Sequence, residues 1–191
     1  TARIRLGQAT TTDDAEGGIL QRRHVPALDD ADIDRNLATL SGRITQVPPV
    51  YSALKQAGEP LYRRARRGEQ VRVPSREVDV HRFERLQRTP ESLRLYIECG
   101  SGTYVRSLVR DLGEQLGCGA HVTALRRLCV EPFRAPRMSQ LAELAALAET
   151  DAAALDARLL PLEQGLTGYP RVRLDAVAAG KLRHGQVIET V

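Results

Sequence analysis

The 191-residue chain predicts an α+β fold, and three stretches carry that prediction. Ala2, Ile4 and Leu6 alternate with Arg3 and Arg5, the period of a half-buried strand. Leu93, Leu95, Ile97 and Cys99 alternate with Arg94, Tyr96 and Glu98 in the same way. Directly after them, Val105, Leu108, Val109, Leu112 and Leu116 fall on one face at helical spacing. A chain of this length holds one good-sized domain, or one domain and a fragment of another. Its apolar content of 42% suffices for a core, and no apolar run approaches the length of a membrane span.

Taken in order, the first strand stops at Gly7, and residues 8–18 read as a polar, solvated hairpin loop containing Thr10, Thr11, Thr12, Asp13 and Asp14. A helix is expected from Asp29, which can cap it, with Leu28 stapled against Ile33 and the stripe continued by Leu37 and Leu40. Pro48 and Pro49 keep residues 46–55 extended. Pro60 then stands at a first helical position and Gly68 just past the end of a short helix. That helix carries Tyr62, Arg63, Arg64, Arg66 and Arg67, the densest positive patch in the chain. Phosphate backbone is one natural partner for such a ridge; a solvated face paired with Glu59 and Glu69 is the other reading.

Residues 71–86 read as one or two strands with Val78 and Val80 pointing the same way, and Thr89-Pro90-Glu91 turns into the strand at 93–99. Gly100 and Gly102 allow a sharp corner, Thr103 is the expected N-cap, and Gly117 ends the helix. Tyr104 and Arg106 sit in its first turn, and Arg110 shares a face with Arg106. This corner suits an anionic or aromatic ligand, although an ordinary surface arginine would read the same way. A second extended segment is expected over 121–133. Ser139 is expected to cap a helix carrying Leu141, Leu144 and Leu147, with a weaker helix over 151–160 and a linker over 165–170. Residues 171–191 read as the start of a new β pattern, through Val172, Leu174, Val187, Ile188 and Val191, too short to bury a core alone.

Composition narrows the chemistry. Lys55 and Lys181 are the two lysines among 28 basic residues, so the positive charge is almost wholly arginine, suited to planar contacts with phosphate and bases. Cys99, Cys118 and Cys129 are odd in number and lack a C-x-x-C, which argues against a disulfide framework and a zinc site, and for a reducing cytosol. His24, His81, His121 and His184 form no ligand cluster in sequence. The chain contains no G-x-G-x-x-G, Walker A, G-x-S-x-G or H-E-x-x-H motif. The opening Thr-Ala-Arg-Ile-Arg has no Met and no signal-peptide core, and reads as an internal cut.

Several segments together resemble one family. They are Arg5-Leu6-Gly7, the run Thr10 to Gly17, Pro49-Val50-Tyr51-Ser52-Ala53-Leu54-Lys55 with Tyr62 and Gly68, Gly102 to Gly113, Gly117 to Val122, and Leu125 to Leu128. In that order they resemble bacterial tRNA pseudouridine synthase B, the TruB type, over most of the chain. The resemblance implies a mixed, mostly antiparallel central sheet flanked by helices. It implies that uridine 55 in the T-loop of tRNA is isomerised: the N-glycosidic bond breaks, the base turns, and carbon 5 is rejoined, without cofactor or metal. In the family an Asp in a G-x-L-D-P context attacks the nucleoside. The resemblance assigns Arg106 to pair with that Asp, Tyr104 and Leu125 to line the uridine pocket, and Asp14 to a supporting place beside the cleft. Tyr104 and Leu125 could instead simply pack, and Leu125 is the likelier of the two to be mainly core. Lys55, Arg63, Arg64, Arg66 and Arg67 are the expected RNA contacts.

No G-x-L-D-P occurs in the chain. The expectation is therefore a truncated catalytic domain over residues 1–164, inactive alone, followed at 165–191 by the first part of a C-terminal PUA-like module. A monomer that binds the tRNA T-stem-loop, with no membrane association, completes the reading. Two alternatives stay open: a non-catalytic RNA-binding or RNA-folding module, and a guide-RNA-dependent relative of the same fold.

Overall fold

The computed structural model describes residues 1–56, 58–69, 71–133 and 138–188, and the chain divides into two compact units, Thr1–Leu128 and Cys129–Val191. The described residues of the first unit form nine strands: β1 (Ala2–Leu6), β2 (Gln8–Thr10), β3 (Ile19–Arg22), β4 (Gly42–Gln46), β5 (Lys55–Gln56), β6 (Glu59–Pro60), β7 (Arg76–Thr89), β8 (Ser92–Cys99) and β9 (Ala120–Leu125). Its helices are α1 (Asp30–Thr39), α2 (Leu61–Arg66) and α3 (Val105–Gln115). The expected α+β class with an antiparallel sheet is what the chain forms: five strands run in the order β4-β7-β8-β1-β9, each antiparallel to its neighbour. Two small hairpins, β2–β3 and β5–β6, stand beside it.

The alternation in β1 becomes burial: Ala2, Ile4 and Leu6 are buried while Arg3 and Arg5 are exposed. On β8, Leu93 and Leu95 are buried across from Ile4 and Ala2. These residues meet Ile33 and Leu37 of α1 and Leu108, Val109 and Leu112 of α3 in one core. Asp29 caps α1 through a reciprocal box with Asp32, as the sequence predicts. Helix α3 lies close against β9, because Gly113 has no side chain: a Cβ there would stand 2.2 Å from the Ala120 nitrogen. At the other end, Gly102 takes a φ of +82°, which turns the chain from β8 into α3.

Several local expectations are corrected. The N-cap of α3 is Tyr104, one residue after Thr103, and no side chain of its own caps the helix. The expected extended segment over 121–133 ends as a strand at Leu125, because β9 pairs with β1 and that partner begins at Ala2. Beyond it the Arg126 N–H reaches the Thr1 carbonyl, and Val130 makes an isolated bridge with Phe133. The β7 strand is one long element that begins at Arg76 rather than near residue 71.

In the second unit, α4 (Leu141–Thr150), α5 (Ala152–Asp156) and α6 (Ala176–Arg183) are joined by a 3₁₀ turn over Leu162–Leu166. Gln140, not Ser139, is the N-cap of α4. The β pattern expected over 171–191 is overturned: Asp175 caps α6 by accepting from the Ala178 N–H at 2.7 Å, and the alanines that follow favour helix. Val191 lies outside the described residues. No described residue of this unit is buried. No helix among the described residues is long and apolar enough to cross a membrane.

Candidate active site

The first turn of α3 brings Arg106 to the end of the sheet, where its guanidinium joins two loops. Its Nη1 donates to an Asp14 carboxylate oxygen at 2.9 Å and to the Thr12 carbonyl at 3.0 Å. Its Nη2 donates to the Tyr51 carbonyl at 3.0 Å. One turn on, Arg110 repeats the arrangement, donating to Asp13 at 3.2 Å and to the Val47 carbonyl at 2.9 Å. The i, i+4 spacing of the two arginines thus matches the adjacent carboxylates of Asp13 and Asp14. Both pairs are charge-assisted and partly shielded from water; the Arg106 and Asp14 side chains are 24% and 23% exposed.

The loop that carries the carboxylates is folded on itself. Asp13 adopts a φ of +61°, and its carbonyl accepts from the Val122 N–H of β9 at 3.0 Å. The Thr12 hydroxyl and the Glu16 N–H both donate to Asp14, at 2.5 and 3.1 Å. The segment forms the β2–β3 hairpin that its composition predicts, but Asp13 and Asp14 are not left to solvent, because α3 draws them inward. Burial pushes the Asp13 carboxyl above the ordinary aspartate range, against the pull of Arg110 and Arg106.

A cleft of about 440 Å³ opens beside this pair. Asp14, Arg106 and three tyrosines, Tyr51, Tyr62 and Tyr104, line it together with Arg66. Such walls suit a flat polar ring: tyrosine faces stack on it, and the carboxylate and guanidinium edges accept and donate hydrogen bonds. A larger concavity, about 620 Å³, lies between His24–Leu28 and Arg85–Pro90. Its arginines pair with Asp30 and Asp34 and no tyrosine lines it, whereas the smaller cleft has three, so the smaller cleft has the better chemistry for a flat ring.

Of the residues singled out from sequence, Arg106, Asp14 and Tyr104 meet in this cleft. Leu125 does not line it. It is the last residue of edge strand β9, across from Ala2, and is 56% exposed, so the alternative reading of it as a core residue does not hold. On α2, Arg66 lines the cleft and lies 5.5 Å above the Tyr62 ring. Arg64 pairs with Glu69, and Arg67 with both Glu59 and Glu69. Arg63, and Lys55 on β5, are in no ion pair among the described residues and stand outside the cleft lining. Reading the sequence missed Tyr51 and Thr12 as main-chain acceptors for Arg106, and missed the Asp13–Arg110 pair. The Asp-Asp step opposite an Arg-x-x-x-Arg spacing was the available signal for the last of these. Among the described residues, no group of three or more His, Cys, Asp or Glu gathers where a metal ion would sit.

A carboxylate–guanidinium pair among tyrosines thus stands on a domain built around an antiparallel sheet. Comparison with known proteins identifies it further. Residues 1–105 match the profile of the TruB family pseudouridylate synthase N-terminal domain, and residues 106–167 match the tRNA pseudouridylate synthase B C-terminal domain. The tRNA pseudouridine synthase B of Xanthomonas axonopodis pv. citri is 55% identical over 185 residues, 97% of this chain and 60% of that protein. The protein of the same name from Xylella fastidiosa is 54% identical over 187 residues, covering 97% and 61%. That from Chromohalobacter salexigens is 46% identical over 183 residues, covering 96% and 59%. The fold is shared with a chain in the crystal structure of a Cbf5-Nop10-Gar1 complex, at a TM-score of 0.66 and 22% identity over 96% of this chain and 48% of that one. The chain belongs to the TruB family of pseudouridylate synthases. It spans about 60% of the length of the curated relatives it matches.

Proposed function

We propose that the protein acts in the isomerisation of uridine to pseudouridine in the T-loop of tRNA, at uridine 55, without a cofactor. The observation that carries the proposal is the Arg106 corner: a guanidinium held by Asp14 and two carbonyls, facing a tyrosine-lined cleft. In this reading Arg106 holds an attacking carboxylate ionised and oriented, because an adjacent cation favours the charged form. Asp14 positions Arg106, and Tyr104 forms one wall for the flipped base. The attacking Asp belongs to a G-x-L-D-P segment that these 191 residues do not contain. The chain therefore supplies one side of the site. In this reading Leu125 is a further wall for the base.

We assign residues 1–164 to the catalytic domain and 165–191 to the start of a C-terminal PUA-like module. The tRNA backbone is held by Arg63 and Arg66, with Arg64, Arg67 and Lys55 around them. The protein works as a monomer in the cytoplasm. Tritium release from carbon 5 of uridine in a T-stem-loop tests the reading. A full-length family protein carrying this segment should turn over, and the 191-residue chain should not. Turnover by the chain alone would place the attacking acid within it. RNA binding with no turnover by the full-length protein would favour a non-catalytic RNA-binding module.

A further inference from the structure

Gln46 is the last residue of β4 and its side chain is completely buried. A buried primary amide needs partners for both its donor and its acceptor. Gln46 finds both on one residue. Its Oε1 accepts from the Tyr104 N–H at 2.8 Å, and its Nε2 donates to the Tyr104 carbonyl at 3.1 Å. The side chain thus pairs with main chain as a neighbouring strand would. It satisfies the N-cap N–H of α3, for which no capping side chain is present. The same Tyr104 carbonyl accepts from the Leu108 N–H at 3.2 Å, the bond that starts the helix.

The cross-strand partner of Gln46 is Arg76, the first residue of β7. Its guanidinium carbon stands 4.9 Å from the centroid of the Tyr104 ring, and its Nη2 donates to the Gly102 carbonyl. One cross-strand pair therefore holds Tyr104 twice, Gln46 by the backbone and Arg76 by the ring. Arg106 follows two residues later on the same helical turn.

We infer that Gln46 and Arg76 are positioning residues that set the Tyr104 wall and, through the start of α3, the direction of Arg106 toward the attacking carboxylate. The inference rests on the proposed uridine site, but its geometric half stands without turnover. Neither residue touches the base. Displacement of the wall misplaces the reacting ring, and an error of about 1 Å costs about 100-fold in rate.

The test compares Gln46→Met, which removes both hydrogen bonds, with Gln46→Glu, which keeps the acceptor for the Tyr104 N–H and, once ionised, has no donor for the Tyr104 carbonyl. Two quantities are read on the full-length protein: hydrogen exchange at the Tyr104 amide by NMR, and kcat and KM for the T-stem-loop by tritium release. Amide protection and kcat should fall together, in the order wild type, Glu, Met, with kcat down about 100-fold for Met and KM nearly unchanged. Arg76→Met should leave the amide protected and lower kcat alone. A Tyr104 amide that exchanges freely in the wild type, or protection lost with kcat intact, overturns the role of Gln46. Unchanged kcat in Arg76→Met removes Arg76. If the wild type does not turn over, the functional reading fails, and the exchange result alone decides whether the amide clamp exists.

Discussion

On α3, Arg106 and Arg110 reach inward to carboxylates and carbonyls from loops distant in sequence. On α2, Arg64 and Arg67 turn back onto Glu59 and Glu69, which flank the same short helix. The residue type is the same, and the difference lies in the partners: Arg64 is 27% exposed, close to the 24% of Arg106, and only Arg67, at 50%, is clearly more open to water. Partly buried guanidinium groups with several fixed acceptors organise a site, whereas exposed pairs are screened by water and salt and exchange readily for phosphate. Arginine count alone therefore says little. In the proposed reading Arg106 is the residue on which the chemistry turns, while of the ridge arginines Arg66, in no ion pair among the described residues, has a place in the cleft.

The sharpest way to break this comparison is to remove one arginine from each helix. Arg106→Ala removes the cation that joins Asp14 to the Thr12 and Tyr51 carbonyls, and turnover of the full-length protein should fall by about 10²–10³-fold. Arg67→Ala should change turnover little. Equal losses in tritium release would show that the two helices do not differ. Next in size is the packing that holds α3 in place. Gly113→Ala forces a methyl into backbone atoms of β9 and should destabilise the fold by about 1–3 kcal/mol, seen as a lower urea midpoint.

A smaller effect concerns RNA affinity. Arg66→Ala should lower the slope of log K against log salt for T-stem-loop binding by about 1. Glu59→Gln with Glu69→Gln frees Arg64 and Arg67 and should steepen that slope by about 1–2. If the double variant leaves the slope unchanged, the self-pairing does not restrain the ridge.

The smallest effect is in pH, where the two regions carry opposite signs. Bonds from Arg67 hold the Glu59 carboxyl below the ordinary glutamate range, and bonds from Arg64 and then Arg67 do the same for Glu69. Their contribution is present above the unfolded glutamate pKa and is lost as pH falls through the depressed values. Burial holds Asp13 above the ordinary aspartate range, so its contribution is present below the unfolded pKa and is lost as pH rises through the raised value. Urea titrations across about pH 3–6 should therefore show wild type losing ground to Asp13→Asn as pH rises, and gaining on Glu59→Gln/Glu69→Gln. Slopes of the same sign would contradict the assignment.

Much of this architecture was legible in the residues themselves. Period-two burial in β1 and β8, the α3 stripe and the Asp29 cap depend on local patterning, and so does the resemblance that led to the family. Patterning failed where partners decide. Residues 171–191 offered valines at strand-like positions, yet Asp175 and the alanines after it make a helix. Residues 8–18 looked solvated because polar side chains look so until a helix with matching charges packs against them.

The chain by itself determined the class of fold, the order of its central elements and the candidate residues Arg106, Tyr104 and Asp14, because propensity, periodicity and motif are written in consecutive residues. Tertiary structure alone decided that Arg106 meets Asp14 and the Tyr51 carbonyl, that Arg64 and Arg67 are neutralised while Arg66 faces the cleft, and that Gln46 holds Tyr104 from 58 residues away. A hydrogen bond or ion pair depends on distance in space. Sheet register and helix packing set that distance, and no local pattern encodes it.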